Sequence, residues 1–594
     1  MAMRNLMLVV CGWAAGLLLS VRGLQLGSSR HSSRGLQLGS SQHSSPGRTF
    51  YIETHGCQMN LADSDVVRSV LLSAGYAPSD DLETSDLILT NTCAIRENAE
   101  AKIYHRLKFF QSIRKKHRKA HTKPEGYPLI GLLGCMAERL KTQLLEDKAY
   151  GIDFIAGPDA YRELPNLLMA ASTDQRAANT QLSMDETYAD IAPVRLAEGN
   201  THAFVTIQRG CQNHCAFCIV PYTRGRERSR PADSIVAEVR QLRDQGYKEV
   251  VLLGQTVNSY RDVGNDEEGG EEREERGRRE SQQPSLAEGF TQRWRARGGV
   301  STDFKELLQR VSEVDVEMRV RFQAPHPKDF PDDVLEFIAA SPNVCKALHM
   351  PAQHGSSTVL DRMQRGYSRE AYVSLVHRAR ALLGRGSPEG VGMGLSSDFI
   401  AGFCGETDEE HKESVNLLSD LGFDQAFTYA YSRREQTYAG LFYKDDVDEA
   451  VKARRLDELV NVFQTKAMER NTRLEMGRLH VVLVEGEGKR PGTFTGRTDS
   501  NKRVVFPWAG LLLLKGIRAD EAAALARAKV DDVDDVLAAL GGARGQGEGG
   551  VVEKGGYIVV KVTGARGHTL RGVPLATTTI AGSHPLNLPA LPVN

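Results

Sequence analysis

The chain has 594 residues, 41 per cent of them apolar and 25 per cent charged, and a formal net charge of −1. That length implies several domains with packed cores, and the balanced charge excludes a globally basic nucleic-acid binder, so any RNA contact must rest on local patches. Nine cysteines spread over so long a chain are not the framework of a small disulfide-stapled secreted domain.

Residues 1–52 contain no Asp or Glu. Arg4 precedes an apolar run from Leu6 to Val21, interrupted by Gly12 and Gly16. A Ser/Arg-rich segment beginning at Arg22 then repeats from Arg34. Such acid-free composition reads residues 1–48 as an organelle transit segment, while the apolar run also fits a secretory signal or a short anchor. A bipartite leader would account for both features.

Residues 49–168 read as repeated strand–helix units. Strands are expected at Thr49–Thr54, Leu87–Thr90 and Tyr127–Leu133, with helices at Ser64–Ala74, Ala94–Arg114 and Ala137–Leu145. Each strand is followed closely by a cysteine: Cys57, Cys93 and Cys135. In an open parallel sheet all carboxyl ends lie on one edge, where ligands bind, so these three thiols should converge. Three unrelated buried cysteines would be the bland alternative. The convergent reading is a [4Fe–4S] cluster with three ligands and one open iron. Residues 169–200 lack periodicity and read as a linker.

The central region, residues 201–473, opens on a short apolar strand, Ala203–Ile207, followed by Cys211-Gln-Asn-His-Cys215-Ala-Phe-Cys218. Soft thiolates on one tight loop suit a [4Fe–4S] cluster, again with one iron left open. Structural zinc wants four ligands, and His214 as the fourth would strain so short a loop. This C-x3-C-x2-C loop after a strand resembles the radical S-adenosylmethionine (SAM) superfamily. The longer string from Arg209 through Tyr222-Thr-Arg224-Gly-Arg226-Glu-Arg228-Ser-Arg230 resembles its methylthiotransferase branch.

Further along, Asp233 is a plausible helix N-cap. The strand Lys248–Gly254 ends at Gly254-Gln255-Thr-Val-Asn258. By resemblance this place lies beside the methionine part of SAM, which makes Gly254, Gln255 and Asn258 the cofactor-binding candidates; a simple loop cap is the alternative. Asp262–Ser301 is a charged low-complexity run, read as a disordered insertion. Strands at Met318–Phe322, Lys346–His349, Gly394–Ile400 and Gln425–Tyr429, with helices including Pro331–Ala340 and Arg369–Leu383, suggest a partial α/β barrel. His326 and His354 lie in its strand-end loops. Cys11, Cys345 and Cys404 are left over and read as leader or buried thiols. The basic loop Arg224, Arg226, Arg228, Arg230 reads either as a solvated loop or as phosphate contacts.

In residues 474–578, short strands at Leu479–Val484, Thr493–Arg497, Arg503–Phe506 and Tyr557–Val562 suggest a small β-barrel, interrupted by an insertion at 508–550 and followed by a tail at 579–594. Its basic loops, with Arg497, Lys502 and Arg503 in one and Gly567–Arg571 as the other, read as an RNA-binding platform.

The order of parts resembles the tRNA methylthiotransferases that act on adenosine 37, over roughly residues 49–578 apart from the insertions. The motifs are Glu53-Thr-His-Gly-Cys-Gln-Met-Asn60, Asn91-Thr-Cys-Ala-Ile-Arg-Glu-Asn98, the cysteine loop through Arg230, Leu253-Gly-Gln-Thr-Val-Asn-Ser-Tyr260 and Gly496-Arg-Thr-Asp-Ser-Asn-Lys-Arg-Val-Val505. Within that family the chain is most similar to the MiaB type and its eukaryotic organellar relatives. It departs at Phe322-Gln-Ala-Pro-His326, where small hydroxylic residues are commoner.

The resemblance implies an N-terminal open parallel sheet domain, a central radical SAM partial barrel and a C-terminal RNA-binding TRAM domain. It further implies two [4Fe–4S] clusters, held by Cys211, Cys215 and Cys218 and by Cys57, Cys93 and Cys135, with SAM as cosubstrate. One electron from a ferredoxin- or flavodoxin-type donor would cleave SAM to a 5′-deoxyadenosyl radical, which removes the C2 hydrogen of N6-isopentenyladenosine 37. The second cluster would present the sulfur, methylated by another SAM, for transfer to C2. The tRNA anticodon stem-loop is the implied partner. An oxidising compartment would destroy such clusters, so a mitochondrial matrix is expected, with plastid and cytoplasm as alternatives and no stable membrane association of the mature protein. Rival readings are methylthiolation of threonylcarbamoyladenosine in tRNA, methylthiolation of a ribosomal-protein aspartate, and a non-catalytic zinc-binding interaction protein.

Overall fold

The computed structural model describes residues 48–581 apart from 95–96, 123–126, 142, 174, 197–198, 263–285, 292–301, 385–388, 508–513 and 516–551. The leader, with Cys11, lies outside the described residues except for Arg48, as does all of the tail beyond 581 and most of both insertions.

β1 (Thr49–Thr54), β2 (Ala77–Pro78), β3 (Leu87–Thr92), β4 (Leu129–Gly134), β5 (Phe154–Ala156) and β6 (Ala177–Asn179) form one all-parallel sheet in the order β2-β1-β3-β4-β5-β6. Every residue of β3 and β4 is buried. Such burial is expected of strands covered by helices on both faces, and in β3 it extends past the apolar Leu87–Leu89 to the polar Thr90–Thr92. Gly131 in β4 makes room for its neighbour: a Cβ there would lie 2.3 Å from the Phe154 ring. The presumed linker is partly structured, because a helix runs from Leu164 to Ser172 and β6 adds a sixth strand. Helices also start and end elsewhere than expected. The first, Gln58–Ser73, begins directly after Cys57, and the second continues to Ala120.

The central region alternates parallel strands with helices. β7 (His202–Thr206), β10 (Glu249–Leu253) and β13 (Arg319–Gln323) form one three-stranded parallel sheet in the order β13-β10-β7. β14 (Ala347–His349), β15 (Gly394–Ala401) and β16 (Gln425–Ala430) form a second, and a parallel bridge from Val320 to Val344 links the two. One apolar core runs through both, from Val205 and Leu252 to Leu395 and Phe399. Two short antiparallel pairs complete the region: β8 (Gln208–Arg209) with β9 (Arg228–Ser229), and β11 (Arg261–Asp262) with β12 (Thr302–Asp303).

Asp233 is not the expected cap. It sits inside the helix Ala232–Asp244, and the carboxylate of Asp262 accepts the Ala232 N–H at 2.8 Å instead. The expected insertion is also not wholly detached. Ala287 and Phe290 are buried in the central core, and Ala287 donates its N–H to the Lys328 carbonyl. No helix among the described residues is long and apolar enough to cross a membrane.

The helix Glu449–Glu475 leads into the C-terminal sheet of β17 (Leu479–Glu487), β18 (Thr493–Thr498), β19 (Arg503–Pro507), β20 (Leu514–Lys515), β21 (Tyr557–Arg566) and β22 (Thr569–Thr578). The order is β19-β18-β17-β21-β22-β20, and β19 also pairs in parallel with β22. β22 occupies what read as a basic loop.

This sheet docks on the starts of the central strands. Arg321 donates to Glu249 at 2.7 Å and to the Thr498 and Asp499 carbonyls, while Arg497 reaches Glu249 at 3.1 Å. Arg319 donates to the Arg497 and Val481 carbonyls. Lys502 pairs with Asp424 and Glu475. Gly394 allows the close approach, since a Cβ there would meet the Ser500 carbonyl at 2.2 Å.

Burial alone would raise the Glu249 carboxyl, but Arg321 and Arg497 outweigh it and hold it down at about 2. A depressed carboxylate contributes stability that is fully present above its ordinary value of 4.5 and is lost as pH falls toward 2. We predict that Glu249→Gln destabilises the full chain by roughly 3–5 kcal/mol near neutral pH, since it takes the carboxylate from buried Arg321, while Arg497 keeps Glu485. In urea unfolding the gap between variant and wild type should shrink as pH falls through that window.

Candidate functional site

The three cysteines of the first domain do gather at one sheet edge. Cys57 takes the N-cap position of its helix, Cys93 follows β3, and Cys135 opens the helix Cys135–Leu140 directly after β4. Their neighbours interlock. Asn60 donates to the Asn91 side-chain oxygen and to the Thr92 carbonyl, both at 3.0 Å, and Asn91 donates back to the Asn60 carbonyl at 2.9 Å. Thr92 bonds the Leu133 carbonyl at 2.7 Å. Cys57 donates to Asn60 at 3.3 Å. Gly56 (φ +131°) and Gly134 (φ +88°) are needed here, because a Cβ on the first would lie 2.7 Å from Cys93 and one on the second 2.4 Å from Asn91. These amides, glycines and cysteines interlock in one knot, with Asn60 and Asn91 fully buried and Cys57 half-buried at its edge.

The second trio sits on a loop whose two ends are clamped by β8 and β9. Gly210 (φ +76°) turns the chain into it, and a Cβ there would meet the Arg226 carbonyl at 1.9 Å. Gln255 accepts the Gly210 N–H at 2.5 Å, and Cys211 donates its N–H to the Gly225 carbonyl. The Cys211 sulfur lies 3.1 Å from the Thr256 hydroxyl and accepts from Asn213. Arg365 donates to the Cys215 sulfur at 3.0 Å. Nothing in the sequence pattern marked Thr256, Asn213 or Arg365 for this role.

The trios belong to different domains, and one carboxylate joins them. Asp63, fully buried on the helix after Cys57, pairs with Arg209 at 2.8 Å and with Arg224 at 2.7 Å. Arg209 precedes Gly210 and the loop trio, and stacks on the Tyr188 ring. Arg224 donates from Nε to the Cys135 sulfur at 3.1 Å. Burial opposes ionisation of Asp63, but the two arginines outweigh it and hold its carboxyl below the ordinary range.

The other candidates fall out as follows. Gly254 makes space for Gln208, since a Cβ there would lie 2.8 Å from the Gln208 side-chain oxygen. Gln255 pins the cysteine loop. Asn258 binds the backbone of His326 and Asp329 through three hydrogen bonds, so it clasps a loop. His326 accepts from Lys328, and burial lowers its pKa well below the ordinary value, which keeps it neutral. His354 lies against Glu406 at 3.3 Å. Cys345 and Cys404 are buried.

The basic residues need a correction. Arg224, Arg228, Arg230, Arg497 and Lys502 were expected at an RNA surface, yet all five are buried. Arg228 binds Asp159, Arg230 binds Glu238, and the other three pair as described above. A buried arginine must be matched by a carboxylate, and here each is. Arg226 is exposed and Arg503 partly so. The loop also carries Glu227, which burial and nearby Asp329 push up to about 7 against the pull of Ser259 and Lys328.

The donor chemistry fits an iron–sulfur group. Burial pushes the Cys211 thiol up to about 11 against the Thr256 hydrogen bond, and it raises Cys135 against Arg224. Such thiols ionise only with a strong cationic partner, and metal coordination provides one. Each trio carries an arginine N–H on one sulfur, the kind of hydrogen bond that tunes a cluster. The Nη2 of Arg224 is buried with no hydrogen-bond partner among the described residues. No three His, Cys, Asp or Glu side chains among those residues close on a single-ion position.

Comparison with known proteins places these parts. Residues 49–157 match a family described as "Uncharacterized protein family UPF0004", and residues 205–418 match the radical SAM superfamily, which implies a [4Fe–4S] cluster and SAM. The chain is 45% identical over 538 residues to the mitochondrial tRNA methylthiotransferase CDK5RAP1 of Mus musculus, covering 90% of this chain and 82% of that protein. It is 43% identical over 460 residues to the tRNA-2-methylthio-N(6)-dimethylallyladenosine synthase of Phocaeicola vulgatus, covering 77% and 90%. Among solved structures, the radical S-adenosylmethionine methyltransferase TsrM from Kitasatospora setae aligns with a TM-score of 0.43 at 14% identity, covering 66% and 75%.

Gly210→Ala should loosen the loop trio without unfolding the chain. In metal-free protein we expect alkylation of Cys211 to quicken on the order of tenfold, equivalent to about 1.4 kcal/mol in local opening, with Cys345 unchanged. Equal rates in variant and wild type would contradict this account of the turn.

Proposed function

We propose a substrate and a chemistry for a chain that belongs to the radical SAM tRNA methylthiotransferase family. The reaction is transfer of a methylthio group to C2 of N6-isopentenyladenosine 37 in tRNA, giving 2-methylthio-N6-isopentenyladenosine. One observation carries this reading: Asp63 links the two cysteine trios, through Arg224 on the Cys135 sulfur and through Arg209 two residues before Cys211. Relatives at 43–45% identity are named for methylthiolation of tRNA.

Cys211, Cys215 and Cys218 would hold one [4Fe–4S] cluster and Cys57, Cys93 and Cys135 the other. When bound, such clusters supply one-electron cleavage of SAM and the sulfur for transfer, chemistry beyond any side-chain acid or base. The chain's own residues do the rest. Gly210, Gln255 and Thr256 fix the loop trio, and Arg365 orients Cys215. The Asn60–Asn91 knot fixes the second trio. Tertiary contacts of Asn258 with the His326 loop hold the strand-end rim, beside which Gly254 and Gln255 would bound the SAM site.

The C-terminal sheet would act as a TRAM-type barrel, closed through the β19–β22 pair. Arg503, Arg566 and Arg571 remain on its surface, and Arg226 lies at the cysteine-loop mouth. These would contact phosphates of the anticodon stem-loop. The residue ranges 49–168, 201–473 and 474–578 are the proposed domains, a ferredoxin- or flavodoxin-type protein the electron donor, and the mitochondrial matrix the site of action.

Nucleoside mass spectrometry of organellar tRNA after gene disruption tests the substrate. We expect 2-methylthio-N6-isopentenyladenosine to vanish and its isopentenyl precursor to accumulate. Persistence of that nucleoside with loss of the threonylcarbamoyl analogue would assign the other tRNA substrate.

A further inference from the structure

Arg224 was expected to face solvent and phosphate. It is 3% exposed and lies between the domains. Its three nitrogens have distinct surroundings. Nε donates to the Cys135 sulfur at 3.1 Å, Nη1 forms an ion pair with an Asp63 oxygen at 2.7 Å, and neither Nη1 nor Nη2, both buried, has a hydrogen-bond partner among the described residues. A buried guanidinium donor without an acceptor is costly, so something must accept from it. The contact with Cys135 places the guanidinium against the first-domain trio. Asp63 holds the head in place, and its other oxygen holds Arg209, one residue before Gly210 and two before Cys211.

We propose that Arg224 is a positioning residue for the first-domain cluster: it donates from Nε to the Cys135 sulfur and from Nη2 to a sulfur of the cluster itself, and through Asp63 it ties that cluster to the loop that carries the other one. The assignment rests on the two-cluster reading above. Its consequence is electronic as well as structural. A fixed cation with two N–H donors on the sulfurs favours the more reduced, more negative cluster, so it raises that cluster's potential. The loop-trio cluster has Arg365 in the corresponding place and does not touch Arg224 through a sulfur. Removing Arg224 should therefore separate the two clusters electronically. Arg209 remains to pair Asp63, so the carboxylate is not left bare.

The test uses full-length protein reconstituted anaerobically, as wild type, Arg224→Gln and Arg224→Lys. A parallel set is made in a Cys211→Ala, Cys215→Ala, Cys218→Ala background, where only the first-domain cluster remains. Iron content and the midpoint potential of each cluster are read by paramagnetic resonance during redox titration. We expect Arg224→Gln to move the first-domain cluster to more negative potential and leave the loop-trio cluster unmoved. Arg224→Lys keeps the charge but loses the planar two-donor head, so it should recover only part of the shift. An unshifted midpoint at full iron content in either variant overturns the proposal, as does an equal shift of both clusters. Should Arg224→Gln fail to hold iron, the Lys variant decides alone. Absence of iron in the triple-alanine background with Arg224 intact would remove the two-cluster reading itself, a result distinct from iron present with an unshifted potential.

Discussion

The Asp63 carboxylate is the constraint on which the arrangement depends. It has no exposure to solvent and is shared by Arg209 and Arg224. Three charged groups in that position are tolerated only if all three are in register, because an unmatched buried charge costs several kcal/mol. The requirement therefore fixes how the first domain sits on the second. Around it Met59, Ala62, Val251 and Leu253 make a small apolar seam, which holds the domains together without dictating their register. Directional ion pairs set the geometry, and apolar burial supplies the adhesion.

The same logic recurs where the C-terminal sheet meets the central strands. Glu249, Arg321 and Arg497 form one buried group, and Lys502, Asp424 and Glu475 another. Both lie at strand starts, the end of the sheet opposite the cysteine loop. The C-terminal sheet thus closes the far side of the central domain and leaves the strand-end rim open. The chain carries 75 Lys and Arg against 76 Asp and Glu. Many of its arginines are matched inside.

The gathering of Cys57, Cys93 and Cys135 was legible from spacing, because each follows a strand end and parallel strands share an edge. Strand positions were legible for a related reason: β3, β4 and β10 are buried on both faces and carry short apolar runs, Leu87–Leu89 and Val250–Leu253 among them. What supports the thiols was not legible. Asp63 is one acid on an unremarkable helix, and Arg365 reaches Cys215 across 150 positions. Arg224 and its neighbours looked like an RNA patch because alternation of arginine with small residues carries no record of carboxylates distant in sequence. Asp233 looked like a cap, but the carboxylate that caps its helix comes from Asp262. β22 was missed because Gly567–Arg571 read as a basic loop, whereas Gly567 (φ +59°) turns the chain between β21 and β22 and the strand already starts at Thr569. The charged insertion hid Ala287 and Phe290, two residues too few to show a period.

The proposed function puts one four-iron cluster on each trio, on the two sides of one interface. Metal analysis of anaerobically reconstituted full-length protein, paired with Mössbauer spectroscopy, tests it most directly. About eight irons per chain are expected, in two four-iron clusters, falling to about four when either trio is replaced by alanine. Stoichiometric zinc without iron, or an iron count unchanged by loss of Cys57, Cys93 and Cys135, would contradict it.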